Sequence, residues 1–297
     1  MCNFIRLKLK TNNTKKMKKI IFLALIVAFS LNANAQIETP QPSPSGKVEQ
    51  KVGLTDVTLE YSRPSMRGRT VFGDLVPYGK LWRTGANKNS IITFTNDVVV
   101  DGITLKAGSY AIFTIPNENS WEVIFYSDTE NWGTPQKWDD TKVAAKTIVK
   151  AYPIPFDVET FTMDFNNLTN NGAILELLWE KTYVAVPFEV PTDAIVSKAI
   201  EKAMNGTSAN DYYAAAVYYL QEGKDIAKAQ EWMEKAISMI PNPAFYQLRQ
   251  LSLIYAKAGN KNAAIETAKK SLAAAEKAGN ADYVKMNKDS LKAWGAM

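Results

Sequence analysis

The chain has 297 residues, of which 46% are hydrophobic and 22% are charged, enough for about two domains of ordinary size. It contains no histidine and one cysteine, Cys2. These counts exclude hydrolases built on Cys-His or Ser-His-Asp, and they remove the usual ligands of zinc. We therefore predict no metal and no cofactor, and the composition favours a protein that is not an enzyme.

Residues 1–35 have the three parts of a secretory signal peptide. A lysine-rich start precedes an apolar run at 20–31 and an Ala-Asn-Ala tripeptide at 33–35. The run of 12 residues is shorter than the roughly 20 residues that a membrane-spanning helix needs. We predict cleavage after this segment, with either Met1 or Met17 as the start. The mature protein is then expected in the periplasm or outside the cell, without a membrane span.

Removal of this segment changes the charge of the chain. The segment carries seven of the 35 basic residues and none of the 30 acidic residues, so 28 basic residues remain against 30 acidic ones, a formal charge of −2. Binding to nucleic acid requires a surplus of lysine and arginine on one face. We therefore predict no nucleic-acid partner. Because Cys2 lies in the removed segment, the mature chain forms no internal disulfide.

Residues 36–46 are rich in proline and serine, which predicts a flexible leader. From residue 47 to residue 190, short segments alternate apolar and polar side chains, as strands with one buried face do. Turn signals such as Asp101-Gly102 separate them. The alternating segments are 57–61, 91–95, 109–115, 121–127, 158–165, 173–180 and 182–190. They predict an all-β domain, an antiparallel sandwich of the jelly-roll or immunoglobulin-like kind.

At Pro191 the pattern changes to a helical period, which predicts an all-α domain over residues 191–297. Segments 211–241 and 245–276 share a frame in which equivalent residues, such as Tyr219 and Tyr255, lie 35 or 36 positions apart. This period, with small residues where helices cross, resembles the tetratricopeptide repeat. About three helix pairs are predicted to bind a protein or peptide partner. The tyrosines predicted to form the repeat core or line its groove are Tyr212, Tyr213, Tyr218 and Tyr219.

Four of the six arginines lie within residues 61–87, a segment rich in glycine and proline. They are Arg63, Arg67, Arg69 and Arg83. A guanidinium is a flat fork that can hold a carboxylate or phosphate through two parallel bonds. In one interpretation the four bind an anionic or carbohydrate ligand, with Trp82 and Asn87 shaping the pocket. In the other, Trp82 belongs to the core and the arginines anchor the segment through carbonyls and carboxylates such as Glu60 and Asp74.

The loop at 127–140 combines carboxylates with Trp132 and Trp138, as a sugar-binding or glycosidase site does. The candidate acid and base residues are Asp74, Asp128, Glu130, Asp139 and Asp140. The alternative function is therefore a carbohydrate-active enzyme, which requires two of these carboxyl groups about 5–10 Å apart in a cleft. The other interpretation is that two buried tryptophans anchor this loop.

The motifs Ser-Arg-Pro, Gly-Arg, Pro-Tyr-Gly and Trp-Arg-Thr-Gly-Ala-Asn occur in this order between residues 62 and 87. Together with the following strands, they make residues 43–190 resemble the DUF2911 family of exported bacterial proteins, common in Bacteroidetes, which has no assigned function. The resemblance implies an extracytoplasmic β domain, and it supplies neither a reaction nor catalytic residues. An acidic residue usually follows the last asparagine in this family, whereas this chain has Lys88. The sequence thus predicts an exported binding or scaffold protein.

Overall fold

The computed structural model describes residues 39–203 and 208–297. The predicted signal peptide and residues 36–38 of the predicted leader lie outside the described residues. The chain divides into two compact units, residues 1–44 and residues 45–297. Residues 39–44, the described part of the first unit, contain no helix or strand. All elements described below belong to the second unit.

The first part of this unit is a β domain. Its strands are β1 (Ser45–Val52), β2 (Thr55–Ser62), β3 (Ser90–Phe94), β4 (Val98–Val100), β5 (Ile103–Leu105), β6 (Gly108–Pro116), β7 (Ser120–Tyr126), β8 (Val143–Asn166) and β9 (Gly172–Glu189). They pair antiparallel in the order β1-β2-β3-β6-β7-β8-β9-β4-β5. One short 3-10 turn, Asp140–Lys142, precedes β8. The predicted antiparallel β domain is confirmed.

The sheet folds over at β8, which has 24 residues. Its first part pairs with β7 and its second part pairs with β9. Strands far apart in the sheet order consequently touch: the Tyr61 hydroxyl of β2 donates to the Met163 carbonyl of β8 at 2.9 Å. In the same way the rings of Phe94 in β3 and Phe188 in β9 lie 5.7 Å apart. The main hydrophobic core fills the space between the two halves of this sandwich.

The structure differs from the predicted strands in three places. β8 begins at Val143, 15 residues before the predicted segment 158–165 that forms its end. Segments 173–180 and 182–190 form one strand, because β9 pairs with β8 on both sides of Glu180. Glu180 bends this strand at a φ of +52° without ending it. β1 begins at Ser45, inside the predicted leader. It is an edge strand in which Val52 alone is buried, so its charged residues hide the usual alternation of a half-buried strand.

The second part of the unit is helical, as predicted. The helices are α1 (Thr192–Ala203), α2 (Ala209–Gln221), α3 (Ile226–Ser238), α4 (Phe245–Lys257), α5 (Lys261–Lys277) and α6 (Ala281–Ala293). The Asp225 carboxylate accepts the amide hydrogens of Ala227 and Lys228 and so caps α3. Left-handed Gly223 and Gly259, at φ of +63° and +83°, follow α2 and α4 and allow the chain to turn into the next helix.

Consecutive helices pack against one another, and α4 also contacts α2 on one side and α6 on the other. The helices α2, α4 and α6 therefore run side by side along one face. Alanines with no exposed surface, such as Ala216, Ala229 and Ala264, bring neighbouring helices close together. Within residues 39–203 and 208–297, no helix is long and apolar enough to cross a membrane.

The β domain and the helices are joined by direct contacts at two places. The Leu54 amide in the turn between β1 and β2 donates to the Thr192 hydroxyl at the start of α1, at 3.3 Å. In the turn before β9, the side-chain amides of Asn170 and Asn171 donate to the Glu222 carboxylate after α2, at 2.7 and 2.5 Å. A charge-assisted pair of this kind is stronger than a neutral hydrogen bond. These contacts hold the two parts of the unit together.

Candidate functional site

The arginine-rich segment between β2 and β3 lies along the β domain and is bound to it through its backbone. The Met66 amide donates to the Glu159 carbonyl of β8 at 2.8 Å. Further along, Trp82 and Thr114 of β6 exchange two backbone hydrogen bonds at 2.7 and 2.9 Å. The segment is therefore an ordered part of the sandwich, and its side chains have defined positions.

Two carboxylates bind the backbone of this segment. Glu159 accepts the Arg67 amide hydrogen at 2.9 Å, and Glu180 accepts the amide hydrogens of Val71 and Phe72, each at 3.2 Å. The sequence-based interpretation expected carboxylates such as Glu60 and Asp74 to anchor the segment. The observed ones lie about a hundred positions away along the chain, on β8 and β9, so local sequence gave no signal for them.

Arg63 and Arg69 use their guanidinium groups within the β domain. Arg63 donates to the Phe161 carbonyl at 3.1 Å and to the Thr162 hydroxyl at 2.7 Å. Arg69 donates to the carbonyls three and four positions before it, at 2.8 and 2.7 Å. Arg67 is exposed and takes a left-handed φ of +51°. The contacts of Arg63 and Arg69 are those expected of anchors.

Trp82 lies against the main hydrophobic core. Its ring stacks on that of Trp179 at 5.8 Å and meets the ring of Phe161 at 5.2 Å. Its indole nitrogen donates to the Gly85 carbonyl at 3.2 Å. Protein groups therefore occupy much of the ring surface that a stacked ligand would need. The half-buried Asn87 donates to the Ser62 hydroxyl at 3.3 Å from a left-handed φ of +58°.

Arg83 differs from Arg63 and Arg69. Its side chain is half-buried, and it has neither a hydrogen bond nor an ion pair with any residue of the described ranges 39–203 and 208–297. One guanidinium nitrogen lies so close to Gly133 that a Cβ there would be 3.0 Å from it. Gly133, at a φ of +97°, thus leaves the space that the guanidinium occupies.

An exposed tryptophan comes immediately before Gly133 in the loop. This residue, Trp132, is 76% exposed and forms an isolated antiparallel bridge with Lys88. We call Arg83, Lys88, Trp132 and Gly133 the Arg83 surface. The sequence analysis named Arg83 as an anion-binding candidate and Trp132 as part of a separate sugar-binding or anchoring loop, but it did not place the two residues in one site.

Arg63→Gln and Arg83→Gln are expected to differ in stability. The first removes two hydrogen bonds to β8, so the free energy of unfolding should fall by about 1–2 kcal/mol. The second removes no internal hydrogen bond and should change it by less than about 0.5 kcal/mol. Urea unfolding followed by tryptophan fluorescence measures both. Equal losses in the two variants would mean that Arg83 is also an anchor.

The five candidate acid and base residues each have a local role or an open environment. Asp128 pairs with Lys142 at 2.7 Å, and Glu130 pairs with Lys88 at 3.0 Å. Asp139 caps the turn before β8, and Asp140 accepts from the Trp138 indole at 2.9 Å. Asp74 is exposed.

The environments of two of these carboxylates work against a general acid. The Lys142 ammonium lowers the pKa of Asp128, and hydrogen bonds from Thr141 lower the pKa of Asp139. A general acid in glycoside hydrolysis needs a raised pKa. Within the described ranges there is also no group of three or more acidic, histidine or cysteine side chains that could hold a metal ion.

The loop at 127–140 is anchored by one tryptophan. The Trp138 ring stacks on Tyr126 at 4.5 Å and meets Phe113 at 5.5 Å, on the outer face of the sheet. Trp132 is exposed instead, so the expectation of two buried tryptophans is wrong for Trp132. Beside Trp138 runs an open groove of about 790 Å³. Asp140 is the only one of the five candidate carboxylates that lines this groove among the residues the structure describes.

A comparison with protein families finds a match over most of the β domain. Residues 43–188 match the DUF2911 family. This family is described as a protein of unknown function. The match supports the resemblance seen in the sequence, and it ends before α1, so the helices lie outside it. No curated protein and no solved structure matches the chain significantly.

The DUF2911 region includes the whole Arg83 surface. Lys88 stands where the resemblance led us to expect an acidic residue, and it pairs with Glu130 from the opposite loop. An ion pair is thus present at this position, with Glu130 supplying the negative charge. The side chains of this pair are 42% and 78% exposed, so it contributes little to stability and leaves the surface accessible.

Proposed function

We propose that this protein is an exported, non-enzymatic binding protein. Its DUF2911 domain binds an acidic carbohydrate at the Arg83 surface, and its helices bind a protein partner. The observation that carries the first part is the half-buried residue Arg83, whose guanidinium has no hydrogen bond or ion pair within residues 39–203 and 208–297.

The chemistry of the Arg83 surface favours an anionic sugar. A guanidinium without a counter-ion gains most from a carboxylate or sulfate, which accepts two parallel hydrogen bonds. The exposed indole of Trp132 offers a flat apolar surface on which a sugar ring can stack. A uronic acid or a sulfated sugar combines both features in one residue.

The other arginines take a supporting role in this proposal. Because Arg63 and Arg69 bind carbonyl and hydroxyl oxygens of the domain, they hold the segment that carries Arg83. A ligand site on rigid backbone loses less conformational entropy when the ligand binds. The proposed site therefore uses fewer arginines than the sequence suggested.

The helices are proposed to form a tetratricopeptide-like scaffold. The repeat of 35 or 36 residues, the left-handed glycines after α2 and α4, and the buried alanines between helices support this assignment. Stacked helix pairs present a continuous face to a partner. Action outside the cytoplasm is proposed from the signal-like segment at residues 1–35.

The experiment is a binding assay with acidic and neutral polysaccharides. Isothermal titration with oligogalacturonate and heparin oligosaccharides, against neutral dextran oligosaccharides, should show binding to the acidic probes only. Arg83→Gln and Trp132→Ala should each weaken it about tenfold or more. The matched control is Lys80→Gln, which removes one positive charge from an exposed position of the same segment and should change the affinity by less than about threefold. Binding that is absent, or equally weakened by Lys80→Gln, would contradict the Arg83 site.

A further inference from the structure

The outer face of the β domain carries a second hydrophobic cluster, on the side of the sheet away from the main core. An antiparallel sheet commonly presents polar side chains to solvent on this side. The buried members of this cluster are Ala111, Phe113, Ile124 and Tyr126. They alternate with residues of the main core such as Ile112 and Phe125, so β6 and β7 are apolar on both faces. A sheet of this kind needs an apolar cover on its outer face as well.

The loop at 127–140 covers only part of this outer face. The Trp138 ring stacks on Tyr126 at 4.5 Å and meets Phe113 at 5.5 Å. Beside this ring lies the open groove of about 790 Å³. Its apolar lining consists of Leu81, Ile115, Ile124, Trp138 and Val143. The volume is within the range of small-molecule sites, roughly 300–1,000 Å³.

The lining of the groove suits an alkyl chain. Apart from Trp138, its apolar side chains are aliphatic, and each methylene group that they remove from water adds to the affinity. The apolar surface also continues past the groove. Ile115 of β6 lies opposite Glu122 of β7, which lies opposite the 72% exposed Ile148 of β8. The hydroxyl groups of a sugar would lose hydration on such a surface without finding hydrogen-bond partners.

Two carboxylates and one ammonium border the groove. Glu122 and Lys146 form an ion pair with each other at 3.3 Å. The Asp140 carboxylate accepts from the Trp138 indole at 2.9 Å, and it has no ion pair with a cation within residues 39–203 and 208–297. The border of the groove therefore has one uncompensated negative charge, and it lies next to an aromatic ring.

We infer that this groove binds an amphiphile with an alkyl chain and one primary ammonium group. The ammonium lies beside the Asp140 carboxylate and the Trp138 ring, because both attract a cation. The alkyl chain lies along Leu81, Ile115 and Ile124, where its methylene groups are removed from water.

The charges at the groove disfavour an acidic amphiphile such as a fatty acid. Lys146 is already paired with Glu122, and the Asp140 carboxylate would repel a second carboxylate. The inference goes beyond the proposed sugar binding and does not rest on it, because no residue of the Arg83 surface lines the groove.

The test is isothermal titration of residues 36–297 with four probes below their micellar concentrations. Decylamine has both the chain and the charge, butylamine lacks the long chain, decan-1-ol lacks the charge, and decanoate reverses it. Decylamine should bind at least about tenfold more tightly than butylamine. It should also bind about fivefold more tightly than decan-1-ol and decanoate. Equal affinities for decylamine and decanoate, or for decylamine and butylamine, refute the inference.

Asp140→Asn tests the position of the ammonium group. This variant removes the charge but keeps an oxygen that can accept from the Trp138 indole. The affinity for decylamine should fall about fivefold, while the affinity for decan-1-ol stays within about twofold. A merely structural role of Asp140 would change both affinities alike. The matched control Asp74→Asn removes the same charge from an exposed position of the same domain and should leave both affinities within about twofold. Equal effects of the two variants on decylamine binding refute the site.

Ile115→Ser tests the position of the alkyl chain. Ile115 is half-buried in the groove, and its replacement should weaken decylamine and decan-1-ol alike, about threefold or more. Unchanged affinities in a variant that circular dichroism shows to be folded contradict the groove. If this variant does not fold, the comparison of Asp140→Asn with Asp74→Asn decides. Arg83→Gln should leave decylamine binding within about twofold, so failure of the sugar site and failure of this groove are distinguishable.

Discussion

Replacement of Trp82 by alanine is expected to lower the free energy of unfolding by about 3 kcal/mol. The indole stacks on Trp179, lies 5.2 Å from Phe161 by ring centroids, and donates to the Gly85 carbonyl at 3.2 Å. Alanine removes all three contacts and leaves a cavity that rigid neighbouring rings cannot fill. Urea unfolding, followed by far-UV circular dichroism, measures this loss.

The chain offers a matched control in Trp132. This tryptophan belongs to the same domain but is 76% exposed, so Trp132→Ala should change the free energy of unfolding by less than about 0.5 kcal/mol. The two variants should also differ in their affinity for acidic polysaccharides, measured under conditions where circular dichroism shows both to be folded. Trp132→Ala should weaken this binding, whereas Trp82→Ala should largely preserve it. A Trp82→Ala variant of normal stability that has lost binding would move Trp82 from the core to the ligand site.

Replacement of Gly53 by alanine is expected to lower the free energy of unfolding by about 3 kcal/mol or more. Gly53 lies in the turn between β1 and β2 at a φ of +54°, a conformation that costs alanine about 1 kcal/mol. A Cβ at this position would lie 1.9 Å from the Thr192 hydroxyl and 2.1 Å from the Asn170 carbonyl. Relief of this clash requires the turn to move away from the start of α1, with loss of the hydrogen bond between Leu54 and Thr192.

Gly102 separates the two contributions to this cost. It also lies in a hairpin turn at a positive φ, +77°, but a Cβ there has nothing within 4 Å. Gly102→Ala should therefore lower the free energy of unfolding by about 1 kcal/mol, because only the unfavourable backbone conformation contributes to the loss. Because the clash lies at the junction, Gly53→Ala should also speed amide hydrogen exchange in α1 relative to α5. Equal stability of the two variants would show that the β domain and α1 are not held in contact.

Much of the β domain was predictable because its signals are local. Alternating side chains mark a strand with one buried face, and residues such as Asp101-Gly102 mark a tight turn, whichever strands later pair. β1 was missed because its two exposed lysines and its one glutamate resemble the polar leader that precedes it. The single strand β9 was predicted as two, because the bend at Glu180 interrupts the alternation but not the pairing with β8.

The candidate site was predictable only in part. Residue type alone identified the arginine-rich segment as one that needs forked hydrogen bonds. It did not separate Arg83, which has no internal partner among the described residues, from Arg63, whose partners Phe161 and Thr162 lie on β8. The same limit applies to Arg249 of α4, whose guanidinium donates to oxygens of Met286, Asn287 and Ser290 in α6, 37 to 41 positions further along the chain.

The amino-acid sequence alone determined the chemical limits of this protein. Without histidine, and with one cysteine in the predicted signal peptide, it has no Cys-His or Ser-His-Asp site, and its strands and helices follow from side-chain periodicity. Which arginines are anchors and which are accessible depended on the folded chain. A guanidinium is satisfied by whichever oxygens come within about 3 Å of it. Those oxygens belong to strands and helices that become neighbours only when the sandwich and the helices pack.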